Sequence, residues 1–153
     1  MSTSQVIPEV QPSASTDGEL AYALEQERLR NRRADLMYGH TGAFRPLLEH
    51  YVEQVARARY SPRTFARLRG SITRFFRYVV MNEQIEDLEE IRPSTVTRFI
   101  DAERARGVHH ILFIGELSVF FEWLISEGRY DRGNPVVSSM HRRQMKAPSA
   151  SSI

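Results

Sequence analysis

Between Ser61 and Asn82 the chain carries Arg63, Arg67, Arg69, Arg74 and Arg77 and no acidic residue. A guanidinium offers a planar fork of donors that suits phosphate oxygens and guanine edges. The spacing of Arg63, Arg67, Arg74 and Arg77 puts them in one row along a helix, with Gly70 in the same row and Thr64, Ser71 and Thr73 close to it. A glycine there costs about 1 kcal/mol of helix propensity, and it would serve where a phosphate backbone has to come close. The chemistry on offer is therefore anion binding, and the alternative is a solvated helix face. All but one of the 21 Lys plus Arg residues are Arg, so the choice of Arg over Lys carries little weight by itself.

Other chemistry is poorly supplied. The sequence has no Gly-rich phosphate loop, no His-Glu-x-x-His and no carboxylate cluster at metal-ligand spacing. His109 and His110 are adjacent, so on a helix they point to different faces, and a capping or surface role is expected. Asp87, Glu89 and Glu90 read as a solvated turn rather than an acid–base pair. The absence of cysteine excludes a disulfide framework and thiolate metal sites. No cofactor and no metal are expected.

A chain of 153 residues allows one ordinary domain with tails, and 41% hydrophobic with 26% charged residues is globular. No apolar run approaches the roughly 18 residues of a membrane span, and the first 18 residues lack a basic start and an apolar core. A cytoplasmic protein with no membrane partner is expected. The net charge of +2 hides an asymmetry: residues 41–81 carry eight Arg and two Glu, for +6, whereas residues 82–128 carry four Arg and ten acids, for −6. Residues 129–153 return to +4. One positive face for an anionic partner follows, with a different role for the acidic third.

The elements that must position the arginines are helical. Ser61 caps and Pro62 opens a helix in which Phe65, Leu68, Ile72, Phe75, Phe76 and Val79 form the buried stripe. Before it, Thr41 is expected to cap a helix to about Arg59, with Phe44, Leu47, Leu48, Tyr51, Val52 and Val55 inward. After the acidic connection at 83–91, Pro93 starts a helix ended by Gly107. The last core helix runs from about His109 to Glu127, with Leu112, Phe113, Leu117, Phe120, Phe121, Leu124 and Ile125 as its apolar face and Trp123 among them. Residues 1–17 read as a disordered tail. Asp17 is expected to cap a very polar peripheral helix over 18–40, whose Arg28, Arg30, Arg32 and Arg33 cluster. The helical domain is expected over 41–137, with 138–153 as a basic linker or tail. The fold class expected is all-α: a bundle of four core helices with an extra N-terminal helix and disordered tails.

In this order, Ser61-x-x-Thr64, Phe75-Phe76-Arg77-Tyr78, Ile91-Arg92-Pro93-Ser94-x-Val96-x-x-Phe99-Ile100, Leu117-Ser118-x-Phe120-Phe121-x-Trp123-Leu124, Gly128 and Asn134-Pro135-Val136 form a pattern. It resembles the core-binding domain of the tyrosine recombinase (phage integrase) family over about residues 43–137. The resemblance implies a small SAM-like helical domain that forms half of a clamp around double-stranded DNA, with the Ser61 to Arg77 helix against the major groove and backbone. It adds Thr64 and Arg69 as DNA contacts. The candidate DNA-binding residues are thus Arg63, Thr64, Arg67, Arg69, Ser71, Arg74 and Arg77.

The chain departs from the family at three places. Leu68 stands where Tyr is frequent, and Leu112 and Ser118 stand where basic residues are frequent, with Glu116 and Glu122 nearby instead. The family's catalytic set, two Arg, a Lys, a His-x-x-Arg and a Tyr nucleophile, has no match: no His is followed by Arg three residues later, and Lys146 is the one lysine. The chain is expected to bind DNA without cutting it, as part of a longer recombinase or as a stand-alone relative. The alternative expectation is a protein–protein module that docks recombinase subunits or another partner, or self-associates.

Overall fold

The computed structural model describes residues 3–107 and 112–146, and the side chains among them except those of 3–15, 112 and 113. The architecture is all-α, with six helices and no strand among the described residues. The chain divides into two compact units, Met1–Met37 and Tyr38–Ile153.

The described residues of the first unit belong to α1, a single helix Thr3–Tyr38. From residue 3 the expected disordered tail is corrected to helix, as is the cap at Asp17, which is helix-internal; residues 1 and 2 lie outside the described residues. Ala21, Ala23, Leu24, Glu25, Gln26, Glu27, Arg28 and Leu29 are strong helix formers, and once a helix is nucleated each further residue costs little. Glu25 and Arg28 pair across one turn at 2.6 Å. The absence of one clean apolar stripe leaves Leu20, Tyr22, Leu24 and Leu36 exposed.

The second unit holds the core. Its first helical stretch, α2 over residues 42–59, begins as a 3-10 turn Gly42–Phe44 and continues as α-helix Arg45–His50. It then widens into a π-turn Tyr51–Ala56 and ends with Arg57–Arg59. Phe44, Leu48, Tyr51, Val52 and Ala56 are buried, while Leu47 and Val55 stay half-buried. The π-turn places an extra residue in the turn and brings Ala56 into the core. Thr41 sits at the N-cap but makes no side-chain cap bond, because its hydroxyl donates back to Tyr38 O at 2.5 Å.

The arginine-bearing helix is α3, Pro62–Met81. Ser61 caps it as expected: its Oγ accepts from Thr64 N–H at 3.3 Å, and Pro62 occupies the first turn. Phe65, Leu68, Ile72, Phe75, Phe76 and Val79 are all buried. A 3-10 turn Leu88–Glu90 leads to α4, Pro93–Ala105, which stops at Gly107 with φ +84°. Helix α5, Leu112–Ser126, ends in a left-handed Gly128 at φ +72°. There Gly128 N–H donates to Ile125 O and Arg129 N–H to Leu124 O, a Schellman closure. Ile114, Leu117, Phe120, Phe121 and Leu124 are buried, Ile125 is half-buried, and Trp123 sits half-buried at the rim rather than inside the core. His109 and His110 and the side chains of Leu112 and Phe113 lie outside the described residues.

Residues 138–146 are not a free linker. They form α6, Ser138–Lys146, packed on α4 and α5 with His141 and Met145 buried. Those two residues, one turn apart, make a short apolar edge on an otherwise basic segment. His141 Nδ1 accepts the Val137 N–H at 3.0 Å, so its proton resides on Nε2, which lies 3.0 Å from Thr97 Oγ1 on α4. Thr97 in turn donates to Pro93 O at 3.1 Å, and Gln144 Nε2 donates to Thr97 O and Asp101 Oδ1 at 3.0 and 2.9 Å. On the other side, Tyr130 OH donates to Ile91 O at 2.6 Å, and Asn134 Nδ2 donates to Ser118 O at 2.9 Å.

Two outcomes are expected. Phe121 is fully buried against Phe75, Phe76, Phe120 and Tyr130. Phe121→Ala should cost about 3–5 kcal/mol in urea unfolding. Burial holds the His141 pKa below its ordinary 6.5, although the backbone at Pro93 and Val137 pulls the other way. The unfolded chain thus takes up the proton first as pH falls. Stability should be whole above pH 6.5 and decline through that value down to the lowered folded-state pKa. Unfolding of His141→Gln across the same range should lack that step.

Candidate nucleic-acid interface

The buried stripe of α3 fixes its rotation, and with it the setting of each of the seven candidate residues. Arg63 is exposed, one residue inside the helix start, and has no ion-pair partner among the described residues. Thr64 is half-buried, and its hydroxyl lies 3.2 Å from Ser61 Oγ within the cap. Arg69 is half-buried with its guanidinium 5.2 Å above the Phe65 ring.

Arg67 and Arg74 are paired. Arg67 Nε donates to Glu116 Oε2 on α5 at 2.7 Å, with 45% of the Arg67 side chain exposed against 10% for Glu116. Arg74 Nε lies 3.1 Å from Glu103 Oε1 on α4, a carboxylate only 3% exposed that also takes Arg106 Nη1 on its other oxygen at 3.0 Å. Arg77 Nε donates to Gly39 O at 2.8 Å. Ser71 is buried, so it leaves the candidate surface: its position lies on the core side of α3, three residues from Leu68 and four from Phe75.

The expected unpaired arginine row is thus corrected. The helix itself contains no acid, but the acidic third of the chain brings Glu103 and Glu116 alongside. A carboxylate this buried has lost most of its hydration and must be paired, so the arginines answer the acids' need as much as their own.

Within α2 and α3, two exposed cations without a carboxylate partner among the described residues, Arg59 and Arg63, stand where α2 ends and α3 begins. Arg57 and Arg59, exposed in the last turn of α2, stand four and two residues before the Ser61 cap. Arg57 stacks 4.4 Å above the same Phe65 ring that Arg69 covers, and it also bonds Glu53 at 2.6 Å. The start of a 20-residue helix adds its partial positive charge. Arg57 and Arg59 were not singled out from the sequence, although the +6 charge of residues 41–81 and their place just before Ser61-Pro62 were the available signal. Elsewhere Arg98 holds Glu83 through two bonds of 2.9 and 2.7 Å. That pair, together with the Tyr78 hydroxyl, lowers the Glu83 pKa. No cluster of three His, Asp or Glu side chains suits a metal ion among the described residues, and no helix among them is long and apolar enough to cross a membrane.

No family model, curated protein or solved structure matches this chain.

Gly70 lies one turn beyond Arg67, and a Cβ added there meets nothing within 4 Å. Gly70→Ala should therefore stabilise the helix by about 1 kcal/mol. If a phosphate backbone approaches this row, the same change should weaken DNA binding. Thermal melts and mobility shifts on one preparation measure both.

Proposed function

We propose that residues 38–146 are a double-stranded DNA-binding module, the core-binding half of a tyrosine recombinase, with α2 to α5 as its four core helices and no catalysis of its own. The supporting observation is the cluster of cations at the α2–α3 junction, where Arg59 and Arg63 are exposed without carboxylate partners among the described residues. Arg57 and Arg69 flank them on Phe65. Such a cluster draws phosphates and releases their counterions, whatever the sequence. The order of motifs shared with the recombinase family supports the same reading. Thr64, which that resemblance adds, stands at this junction, while Arg67 lies one turn further along α3.

A second reading has its own observation. A groove of about 530 Å³ is lined by Ala43, Phe44, Leu47 and Leu88, with four acids, Glu86, Asp87, Glu89 and Glu90, and three arginines, Arg92, Arg129 and Arg132, around them. It suits a segment with apolar side chains and charges of both signs, as a docking module for a recombinase subunit or another protein would require.

Mobility shifts on duplex DNA over a salt series separate the two. Arg59→Ala and Arg63→Ala should each reduce the log–log salt slope by about 0.9 and weaken all duplexes alike, with helicity unchanged. Arg106→Ala, on the compensated side, should do little. No shift at any salt would favour the protein-docking reading.

A further inference from the structure

Arg67 is held through its Nε by a carboxylate on a neighbouring helix. Its Nε donates at 2.7 Å to Glu116, whose other oxygen, Oε1, is buried with no hydrogen-bond partner among the described residues. A carboxylate 10% exposed with one protein donor keeps that donor. The guanidinium is therefore oriented from behind. Its two terminal nitrogens have no protein partner among the described residues, and the side chain remains 45% exposed one turn beyond Arg63. Arg74 lacks this arrangement, because its Nε contact with Glu103 misses hydrogen-bond geometry and Glu103 is shared with Arg106.

We infer that Arg67, positioned by Glu116, reads a guanine in the major groove rather than gripping the phosphate backbone. This rests on the DNA-binding reading above. The argument is one of charge and geometry. A neighbouring carboxylate cancels most of the long-range pull that an arginine exerts on phosphate, so the pair is a poor counterion for the backbone. It leaves intact two parallel N–H donors, which match the O6 and N7 acceptors of guanine and are mismatched by the amino group of adenine. Fixing the fork in advance also reduces the ordering cost of the contact. Arg59 and Arg63, with no such partner, are the phosphate contacts. Glu116 is thus a positioning residue, and Arg67 the reader.

The test uses the full chain and a pool of duplexes with a randomised core, selected for binding and sequenced. The parent should enrich a motif with a required G·C pair. Arg67→Ala should lose the preference at that one position, by about 5- to 150-fold, and keep the others. Glu116→Ala should relax the same position. Glu116→Gln keeps an amide oxygen to accept the Nε–H, so it should retain the preference while tightening binding to all duplexes through the lost negative charge. Arg63→Ala should weaken binding with the motif unchanged. An even loss across sequences in Arg67→Ala, an unaltered motif in Glu116→Ala, or a parent that binds duplexes but enriches no motif would overturn the inference and leave the DNA-binding reading standing. A parent that binds no duplex overturns both. Circular dichroism checks that each variant is folded. Should Glu116→Ala unfold, Arg67→Ala and Glu116→Gln still decide between base reading and charge masking.

Discussion

The structure of the second unit depends on the rings that α3 pushes into its neighbours. Phe75 meets Phe99 of α4 edge-on at 5.2 Å and Phe121 of α5 at 6.2 Å. Phe76 meets Phe44 of α2 at 5.0 Å and Phe120 of α5 at 5.6 Å. Two adjacent residues thus touch three helices, and each edge-to-face contact adds about 0.5–1.5 kcal/mol beyond burial. Rings of fixed shape in a close-packed interior leave α3 one rotation. That rotation decides everything on its other side: Arg63 and Arg67 point outward, whereas Ser71, on the flank of the stripe between Phe75 and Arg67 on the wheel, is covered.

The charge pattern follows from the same packing. Bringing α4 and α5 against α3 carries Glu103 and Glu116 to its flanks and strips them of water. The segment with −6 net charge is therefore not only a solvated surface. Part of it is internal compensation for the +6 segment, built across helix interfaces. Removing Arg74 would leave Glu103 its ion pair with Arg106, whereas removing Arg67 would leave Glu116 with no hydrogen-bond partner among the described residues.

What could be read from the sequence was what is local. Steps of three and four gave the core of α3, the Ser61–Pro62 start is a capping rule, and the left-handed stops at Gly107 and Gly128 need only glycine in the right place. Misreadings arose where a neighbour in space decided. Thr41 looked like a cap but found Tyr38 O. Val55 yielded to Ala56 through a π-turn that no periodicity announces. The helix around His141 was hidden because its basic composition masks a two-residue apolar edge that only α4 and α5 make useful. The pairing of Arg67 with Glu116 joins residues 49 apart in sequence, and nothing within the helix foretells it.

The arginines of α3 end up graded along its length. Arg74 and Arg77, in the second half, are tied to a carboxylate and to a backbone carbonyl. Arg63, at the start, is tied to nothing among the described residues, and Arg59 of α2 stands beside it in the same condition. The helix dipole has the same sense, positive at the start. A rod carrying its free charge at one end does not lie flat along a polyanion. It is drawn in by that end, where screening at physiological salt leaves an effective range of about 8 Å. On the DNA-binding reading, α3 therefore meets the duplex with its first two turns. Arg59 and Arg63 are at the backbone, and Arg67, neutralised and aimed, is the next side chain inward. The compensated second half then serves to hold the helix on its core rather than to touch the partner.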